Sequence, residues 1–309
     1  MISAEPDISI IVVNWNTVEL LKGCLQSIYE TVEEVSYEIF VVDNGSVDSS
    51  VAMVEREFPQ VHLIKNRENK GFAAANNQAF RVMKGRYALL LNTDTVLTKG
   101  AVKTLFAFLE GNPQAAIACG QLLNPDGTKQ NSIAPFPSLL TLMTNVPLLE
   151  YLFPRRYPSK RYTYREPIEI ESPIGACLLI RKEALEQVGF FDERYFFFFE
   201  ETDLALRMHA KGYKVYYVPS ALIYHFQGQS AGKDFRFRIE FYRSRYYFFR
   251  KWKGRYLFYL YATVIFLRLC LNLITAGCLN LLFLGWKKKF KERWLFYARL
   301  FVWHLRGCP

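Results

Sequence analysis

Three features of the 309-residue chain predict an α/β fold on a mainly parallel central sheet. Residues 8–13 form a run rich in β-branched side chains, residues 38–43 repeat the form, and residues 18–29 between them carry apolar side chains at helical spacing. That is a β-α-β unit. Residues 89–91 are three leucines that end abruptly in Asn92-Thr93-Asp94, and a short, wholly apolar run suits a strand buried on both faces of a parallel sheet.

The remaining elements follow in order. Strands are expected at 61–65, 87–91 and 115–122 and helices at 49–58, 73–83 and 100–109, so residues 1–120 read as a parallel α/β sheet. From 124 to 173 the periodicity fades and prolines stand at 125, 135, 137, 147, 154, 158, 167 and 173. This reads as a long irregular connection, a place where binding loops occur. Order returns with a strand at 175–181, a short helix, an aromatic run at 195–199, a helix at 200–211 and two short strands at 214–218 and 221–225.

The charge is divided unevenly. Residues 1–120 sum to −4 and residues 121–232 to zero, while residues 233–309 carry 17 basic and 3 acidic side chains. There the excess is interleaved with aromatic and aliphatic runs, which favours an anionic membrane surface over nucleic acid as the partner. Residues 256–286 hold one charge, Arg268, and as a helix would extend roughly 46 Å against the roughly 30 Å core of a bilayer. Arg250, Lys251, Lys253 and Arg255 precede this segment, and Lys287 to Lys289, Lys291 and Arg293 follow it. Basic residues at both ends place both ends on the cytoplasmic side. The expected form is a re-entrant or surface-lying helix pair broken near Gly277, ahead of a single span or a soluble oligomer interface.

The six cysteines show no paired spacing, and no disulfide or metal framework is expected from them. No basic-then-apolar signal precedes the first strand, so the globular part is expected in a reducing cytoplasm. The domain plan is residues 1–232, with halves 1–120 and 121–232, followed by a membrane-association region, 233–309. The whole would sit on the cytoplasmic face of the membrane, peripheral or monotopic.

In open α/β sheets ligands bind beyond the carboxyl ends of the strands. Asn92 and Asp94, two residues apart, leave their strand on one side and could converge on a hard cation that neutralises a diphosphate; they equally suit a polar turn closing the strand. The stretches 12–16 (Val-Val-Asn-Trp-Asn) and 42–46 (Val-Asp-Asn-Gly-Ser) end the first two strands at the same rim. Asp43 is placed to accept from a pyrimidine imide N–H, and Trp15 to stack on a base or to pack the rim.

Taken together, Asp43-Asn44-Gly45-Ser46 with Asp48, Asn69-Lys70-Gly71-Phe72 running into Asn76-Asn77, Asn92-Thr93-Asp94, Gly175-Ala176-Cys177 with Phe191-Asp192-Glu193, Glu200-Glu201-Thr202-Asp203-Leu204 and His225 stand in a specific order. That order resembles family-2 inverting glycosyltransferases, most of all the rhamnosyltransferase-type branch, over residues 7–230. The resemblance implies a GT-A fold, a nucleotide-sugar donor and a divalent metal, Mg²⁺ or Mn²⁺. It implies that Asp43 reads a uracil or thymine ring and that Val13, Asn14, Trp15, Lys70, Gly71, Asn77, Asn92 and Thr93 line the donor site. Asp94 and His225 would hold the metal, and Gly175, Ala176 and Asp203 would face the acceptor.

Asn92 departs from the family, which has an acidic residue there. A neutral amide is a poorer ligand, so metal affinity would rest on Asp94, His225 and the diphosphate itself. By itself His225 also reads as a buried, tautomer-fixed histidine. Glu200 and Glu201 start a helix, where acidic residues are ordinarily explained by the macrodipole. The four phenylalanines 196–199 ahead of them would instead desolvate a carboxylate and raise its pKa into the range of a general base. In the family the second residue of this pair is the base, usually Asp. Here it is Glu201, one methylene longer, which leaves both glutamates open, while Asp203 and Arg207 are spaced as structural partners at i and i+4.

The function expected is transfer of a sugar, first of all rhamnose from dTDP-rhamnose and otherwise another dTDP- or UDP-sugar, to a lipid-linked or cell-surface glycan. The alternative is a non-catalytic sugar-nucleotide-binding or scaffold protein, prompted by the amide at Asn92. A nicotinamide oxidoreductase is disfavoured because no Gly-x-Gly-x-x-Gly turn follows the first strand. Oligomeric state is left open.

Overall fold

The computed structural model describes residues 5–154, 156–159, 162–226, 228, 235–282 and 288–307. The first half holds β1 (Ile8–Asn14), α1 (Val18–Thr31), β2 (Tyr37–Asp43), α2 (Ser50–Glu57), β3 (His62–Lys65), α3 (Phe72–Phe80), β4 (Tyr87–Asn92), β5 (Thr95–Leu97), α4 (Ala101–Gly111) and β6 (Ala115–Leu123). There follow β7 (Ile133–Ala134), α5 (Leu139–Met143), α6 (Val146–Leu152), β8 (Ile168–Glu169), β9 (Ser172–Pro173), β10 (Cys177–Arg181), α7 (Lys182–Val188), α8 (Glu200–Ala210) and β11 (Lys214–His225). Three helices close the chain: α9 (Phe235–Trp252), α10 (Gly254–Leu282) and α11 (Lys288–Leu305). These elements form two compact units, Met1–Phe136 with Asn145–Gly232, and Pro137–Thr144 with Lys233–Pro309.

The first unit is an α/β/α sandwich around one sheet in the order β3-β2-β1-β4-β10-β6-β11-β5, with β8 paired to β11. Parallel ladders join β3 to β2, β2 to β1, β1 to β4 and β6 to β11. β10 runs antiparallel to both its neighbours, β4 and β6. Residues 1–120 therefore do not close a parallel sheet among themselves. The open edge of β4, apolar on both faces, is filled by the equally buried β10 from the second half of the chain. Apolar residues of α1, α2 and α4 cover one face of the sheet, and those of α3, α7 and α8 cover the other.

The stretch 124–173 is less irregular than its composition predicts. Its elements are two to seven residues long, too short for periodicity to register. Pro147 lies in the first turn of α6, where its missing N–H costs nothing, and a Ser138/Thr141 capping box opens α5. The two strands expected at 214–218 and 221–225 are one, β11, whose register on β6 shifts between Val218 and Leu222. Pro219, which has no N–H for the ladder, sits in this bulge. The bulge brings the two backbones so close that a Cβ on Gly120 would lie 2.3 Å from the Ala221 carbonyl oxygen.

In the second unit α10 runs unbroken through Gly277, so the break expected there does not occur. A Cβ at Gly277 would lie 3.3 Å from the Trp294 indole nitrogen, so this glycine admits α11 close to α10. Phe266 stacks on Phe301 with centroids 5.5 Å apart, and the two contacts together make α10 and α11 antiparallel. Trp286, Lys287 and Lys233, expected as boundaries of the apolar and basic stretches, lie outside the described residues.

The Gly120 contact predicts that Gly120→Ala destabilises the protein by about 1–3 kcal/mol, the cost of overpacking against backbone that cannot step aside. Urea midpoints of the two proteins measure it; an unshifted midpoint would show that the bulge is not held this tightly.

Candidate active site

The carboxyl ends of β1, β2 and β4 meet the amino end of β10 at one rim, because β10 is antiparallel. The Asn92 amide donates to the Ala176 carbonyl oxygen at 3.0 Å. Asp43, 2% exposed, accepts at one oxygen from the Asn14 amide at 2.8 Å and at the other from the Ser46 N–H at 2.9 Å. Each oxygen keeps a second lone pair for a ligand donor. The Thr17 hydroxyl lies 2.7 Å from Asn14 Oδ1 and 3.0 Å from Thr93 Oγ1, which joins β1 to the Asn92-Thr93-Asp94 turn. Trp15 stands half-exposed beside them, and Val13 is partly covered against the core.

Asn44 organises the next loop. Its amide donates to Asn69 Oδ1 at 3.2 Å and to the Gly71 carbonyl oxygen at 3.1 Å, and its own oxygen accepts from Asn66 at 3.0 Å. Lys70 is thereby carried, exposed, on a loop tied to the end of β2. Gly71 has φ +87°, and a Cβ there would lie 2.6 Å from the Phe196 carbonyl oxygen. That oxygen accepts from the Phe72 N–H at 2.7 Å.

The four-phenylalanine run is thus a strained turn. Phe198 and Phe199 have φ +70° and +71°, a conformation that L side chains rarely adopt. The turn delivers Glu200 and Glu201 to the first turn of α8. Glu200 is 4% exposed, Glu201 is half-buried, and one carboxyl oxygen of each has no hydrogen-bond partner among the described residues. Burial drives the pKa of Glu200 well above the usual carboxyl value, with the neighbouring Glu201 adding to the rise. Burial likewise pushes Glu201 up to about 7. Glu201 lies against Gly175, whose added Cβ would meet its Cγ at 3.6 Å and Cδ at 3.7 Å. Of the two glutamates, it is the one that reaches the Gly175-Ala176 rim.

Two expected ligand residues are used for structure. Asp203 is fully buried and pairs with Arg207 at 2.9 Å, whose guanidinium also donates to the carbonyl oxygens of Val188, Gly189 and Phe190. It clamps α8 to the end of α7 and offers no surface to an acceptor. Asn77 spends its amide on the Phe191 backbone in both directions, at 2.9 Å and 3.0 Å, and on Glu193 at 2.9 Å. It braces the loop below the aromatic turn instead of facing a donor.

Asp94 and His225 do converge. The antiparallel pairing of β5 with β11 sets Thr95 opposite His225, and His225 Nε2 lies 3.4 Å from Asp94 Oδ1. Sequence reasoning missed Gln130, which lies in the stretch without periodicity. Its amide nitrogen donates to Asn124 Oδ1 at 2.7 Å and to the His225 carbonyl oxygen at 2.6 Å, which obliges its oxygen to face His225 Nδ1 at 2.9 Å. Nδ1 must then carry the proton in the neutral ring. The Nε2 lone pair is left pointing toward a carboxylate oxygen, an arrangement that a cation between them would satisfy. Among the described residues no three His, Cys, Asp or Glu side chains gather. This nitrogen and oxygen pair could supply two ligands to a divalent cation whose other ligands come from a bound molecule.

The model of glycosyl transferase family 2 matches residues 9–189, more than half of the chain. The chain belongs to this glycosyltransferase family. The transferase is 29% identical over 211 residues to the N-acetylglucosaminyl-diphospho-decaprenol L-rhamnosyltransferase of Mycobacterium tuberculosis, covering 63% of this chain and 68% of that one. It is 27% identical over 205 residues, 65% and 61% of the two chains, to a low-salt glycan biosynthesis hexosyltransferase of Haloferax volcanii. Its fold is similar to that of a mannosyltransferase from Pyrobaculum calidifontis in complex with GDP-Man and Mn²⁺ (TM-score 0.58, 18% identity, 98% of this chain and 88% of that one). It is also similar to GalNAc-T7 with UDP, GalNAc and Mn²⁺ (TM-score 0.56, 14% identity, 78% of this chain), of which the transferase spans about half, 48%. The fold is GT-A, and the branch is rhamnosyltransferase-like.

The raised pKa of Glu201 carries a stability consequence. Below the usual value of 4.5 the group is protonated in both the folded and unfolded chains, and its contribution is fully present. That contribution is lost as pH rises through about 7, because the unfolded chain ionises first. Urea midpoints taken between about pH 4 and about pH 8 should fall over this window, and Glu201→Gln should flatten the fall. A variant profile as steep as that of the parent would place the titration elsewhere.

Proposed function

We propose that this glycosyltransferase is an inverting, metal-dependent enzyme that moves a sugar, foremost rhamnose from dTDP-rhamnose, to a lipid-linked glycan at the cytoplasmic face of the membrane. The observation that carries the metal-dependent chemistry is the Asp94–His225 pair, with its Nε2 lone pair set by Gln130, at the same strand-end rim as the Asp43 pocket. Rhamnose and the lipid-linked acceptor are suggested by the name of the mycobacterial relative.

Asp43 accepts from the imide of the base, with Trp15 beside it, and the Asn14, Thr17 and Thr93 hydrogen bonds hold this rim in register. Asp94 and His225 would hold Mg²⁺ or Mn²⁺, which when bound supplies positive charge to the departing diphosphate. Glu201, ionised above about pH 7, takes the proton of the acceptor hydroxyl as the hydroxyl oxygen attacks C1 from the face opposite the diphosphate. The new C–O bond forms as the C1–O bond to phosphate breaks, so the anomeric configuration inverts. Burial of the Glu201 carboxyl keeps its basicity high near neutral pH.

Membrane attachment falls to the C-terminal region, 233–309. The most apolar stretch of α10 has a mean hydropathy of 1.9 and is 17% buried, and the exposed side chains of the helix include Leu267, Leu271, Ile274, Leu281 and Leu282. Flanking lysines and arginines would each add about 1 kcal/mol near an anionic leaflet.

Glu201→Gln is expected to retain donor binding and to lower transfer by roughly two to four orders of magnitude, whereas transfer in the parent rises with pH through about 7. A variant with Glu201→Gln active and Glu200→Gln inactive would move the base by one residue. Asp94→Ala, His225→Ala and Gln130→Leu should each weaken Mn²⁺-dependent donor binding, read by calorimetry; equal donor affinity in EDTA and in Mn²⁺ would overturn the metal role. Membranes washed in high salt should keep the full-length protein, because screening releases electrostatic attachment and not an inserted apolar helix. Release by salt alone would leave the basic flanks as the only anchor.

A further inference from the structure

α9 and α10, with His304 of α11, line an open-sided cavity of about 520 Å³ within the second unit, inside the range of roughly 300–1,000 Å³ typical of small-molecule pockets. One wall is α10, which contributes Phe258, Ala262 and Phe266 from a single face at i, i+4 and i+8. The opposite wall carries Arg243 and Arg250 of α9, seven residues and two turns apart on one face, with Tyr246 between them. His304 of α11 completes it: Nδ1 lies 2.9 Å from the Leu300 carbonyl oxygen and Nε2 lies 2.8 Å from the Tyr246 hydroxyl. The ring is therefore accommodated as a neutral donor and acceptor, and burial lowers its pKa further. Among the described residues no acidic side chain lines the cavity. Arg243 has Glu240 as an ion-pair partner, while Arg250 is exposed and has no carboxylate partner among the described residues. An apolar, aromatic chamber with an uncompensated guanidinium at its edge is complementary to a molecule with an apolar tail and a phosphate head. Arginine matches phosphate oxygens bidentately.

We propose that this cavity binds the prenyl-diphosphate portion of the lipid-linked acceptor, with Arg250 and Arg243 on the phosphate oxygens and Phe258, Ala262 and Phe266 against the first isoprene units. This rests on the acceptor reading given above and assigns that acceptor a place in the C-terminal helices. The basic surroundings, 17 Lys and Arg against 3 acidic residues over 233–309, favour an anionic head group over a neutral one.

Full-length protein in detergent, with its donor site saturated by nucleoside diphosphate and Mn²⁺, is titrated with farnesyl diphosphate and followed by tryptophan fluorescence. Binding is expected, and Arg250→Gln and Ala262→Trp should each weaken it at least tenfold. Unchanged circular dichroism and melting would show that the variants are folded. Arg250 is exposed, so Arg250→Gln remains informative if the bulkier substitution misfolds. Unchanged affinity in the Arg250 variant would overturn the proposal. So would displacement at equal concentration by inorganic diphosphate, which has no tail, or by phosphatidylglycerol, which would mark a bulk-lipid site. Donor hydrolysis by the parent protein, measured separately, keeps the outcomes apart: hydrolysis without farnesyl diphosphate binding sinks the cavity alone, whereas no hydrolysis of any nucleotide sugar strikes the transferase mechanism.

Discussion

The candidate rim takes its shape from β10 lying hydrogen-bonded between β4 and β6, antiparallel to both. A parallel strand in that position would leave its amino end, and the Gly175-Ala176 turn, on the far side of the sheet. Antiparallel, it turns that end toward Asn92 and Asp94 and provides the surface on which Glu201 lies. One inserted strand thus makes the two halves of the chain share an edge. Its cost is small, because all three strands are apolar and buried on both faces, so that side chains of either orientation find core.

A second constraint is local and strained. Two consecutive phenylalanines in the left-handed region each cost on the order of 1–3 kcal/mol, and the surroundings must over-determine them. The Phe72 N–H holds the Phe196 carbonyl, the Asp203 N–H holds that of Phe199 at 2.8 Å, and the Arg207 clamp fixes α8 from below. Asn77, Asp203 and Gly71 therefore act through the backbone of this turn. The strained turn leads directly into the two carboxyl groups, and the raised pKa of Glu201 follows from burial and not from any single charged neighbour.

The histidine and aspartate at the strand ends illustrate a different use of hydrogen bonding. Gln130 has no charge, yet its two donor bonds leave only one orientation for its oxygen, and that orientation fixes the protonated nitrogen of His225. A partner of this kind on one ring nitrogen sets both the orientation of the ring and the basicity of the other nitrogen. The charge asymmetry of the chain is organised on a larger scale: the α/β unit is close to neutral, while the C-terminal helices concentrate positive charge around an apolar surface.

By itself the sequence determined the alternation of strands and helices over the first 120 residues, the strand ends at which Asp43 and Asp94 stand, and the apolar, basic character of the C-terminal region. These are properties of neighbouring residues, and hydrophobic periodicity reports them directly. It also held the ordered motifs from which the family could be recognised. Only the tertiary structure decided which strand fills the edge of β4, that residues 214–225 form one bulged strand, that Gly277 packs a helix instead of breaking it, and that Asp203 and Asn77 are braces. It alone brought Gln130 to His225, from 95 residues away. Pairings across such separations depend on which edges and amides remain unsatisfied after the local structure has formed, and no window of neighbouring residues contains that information.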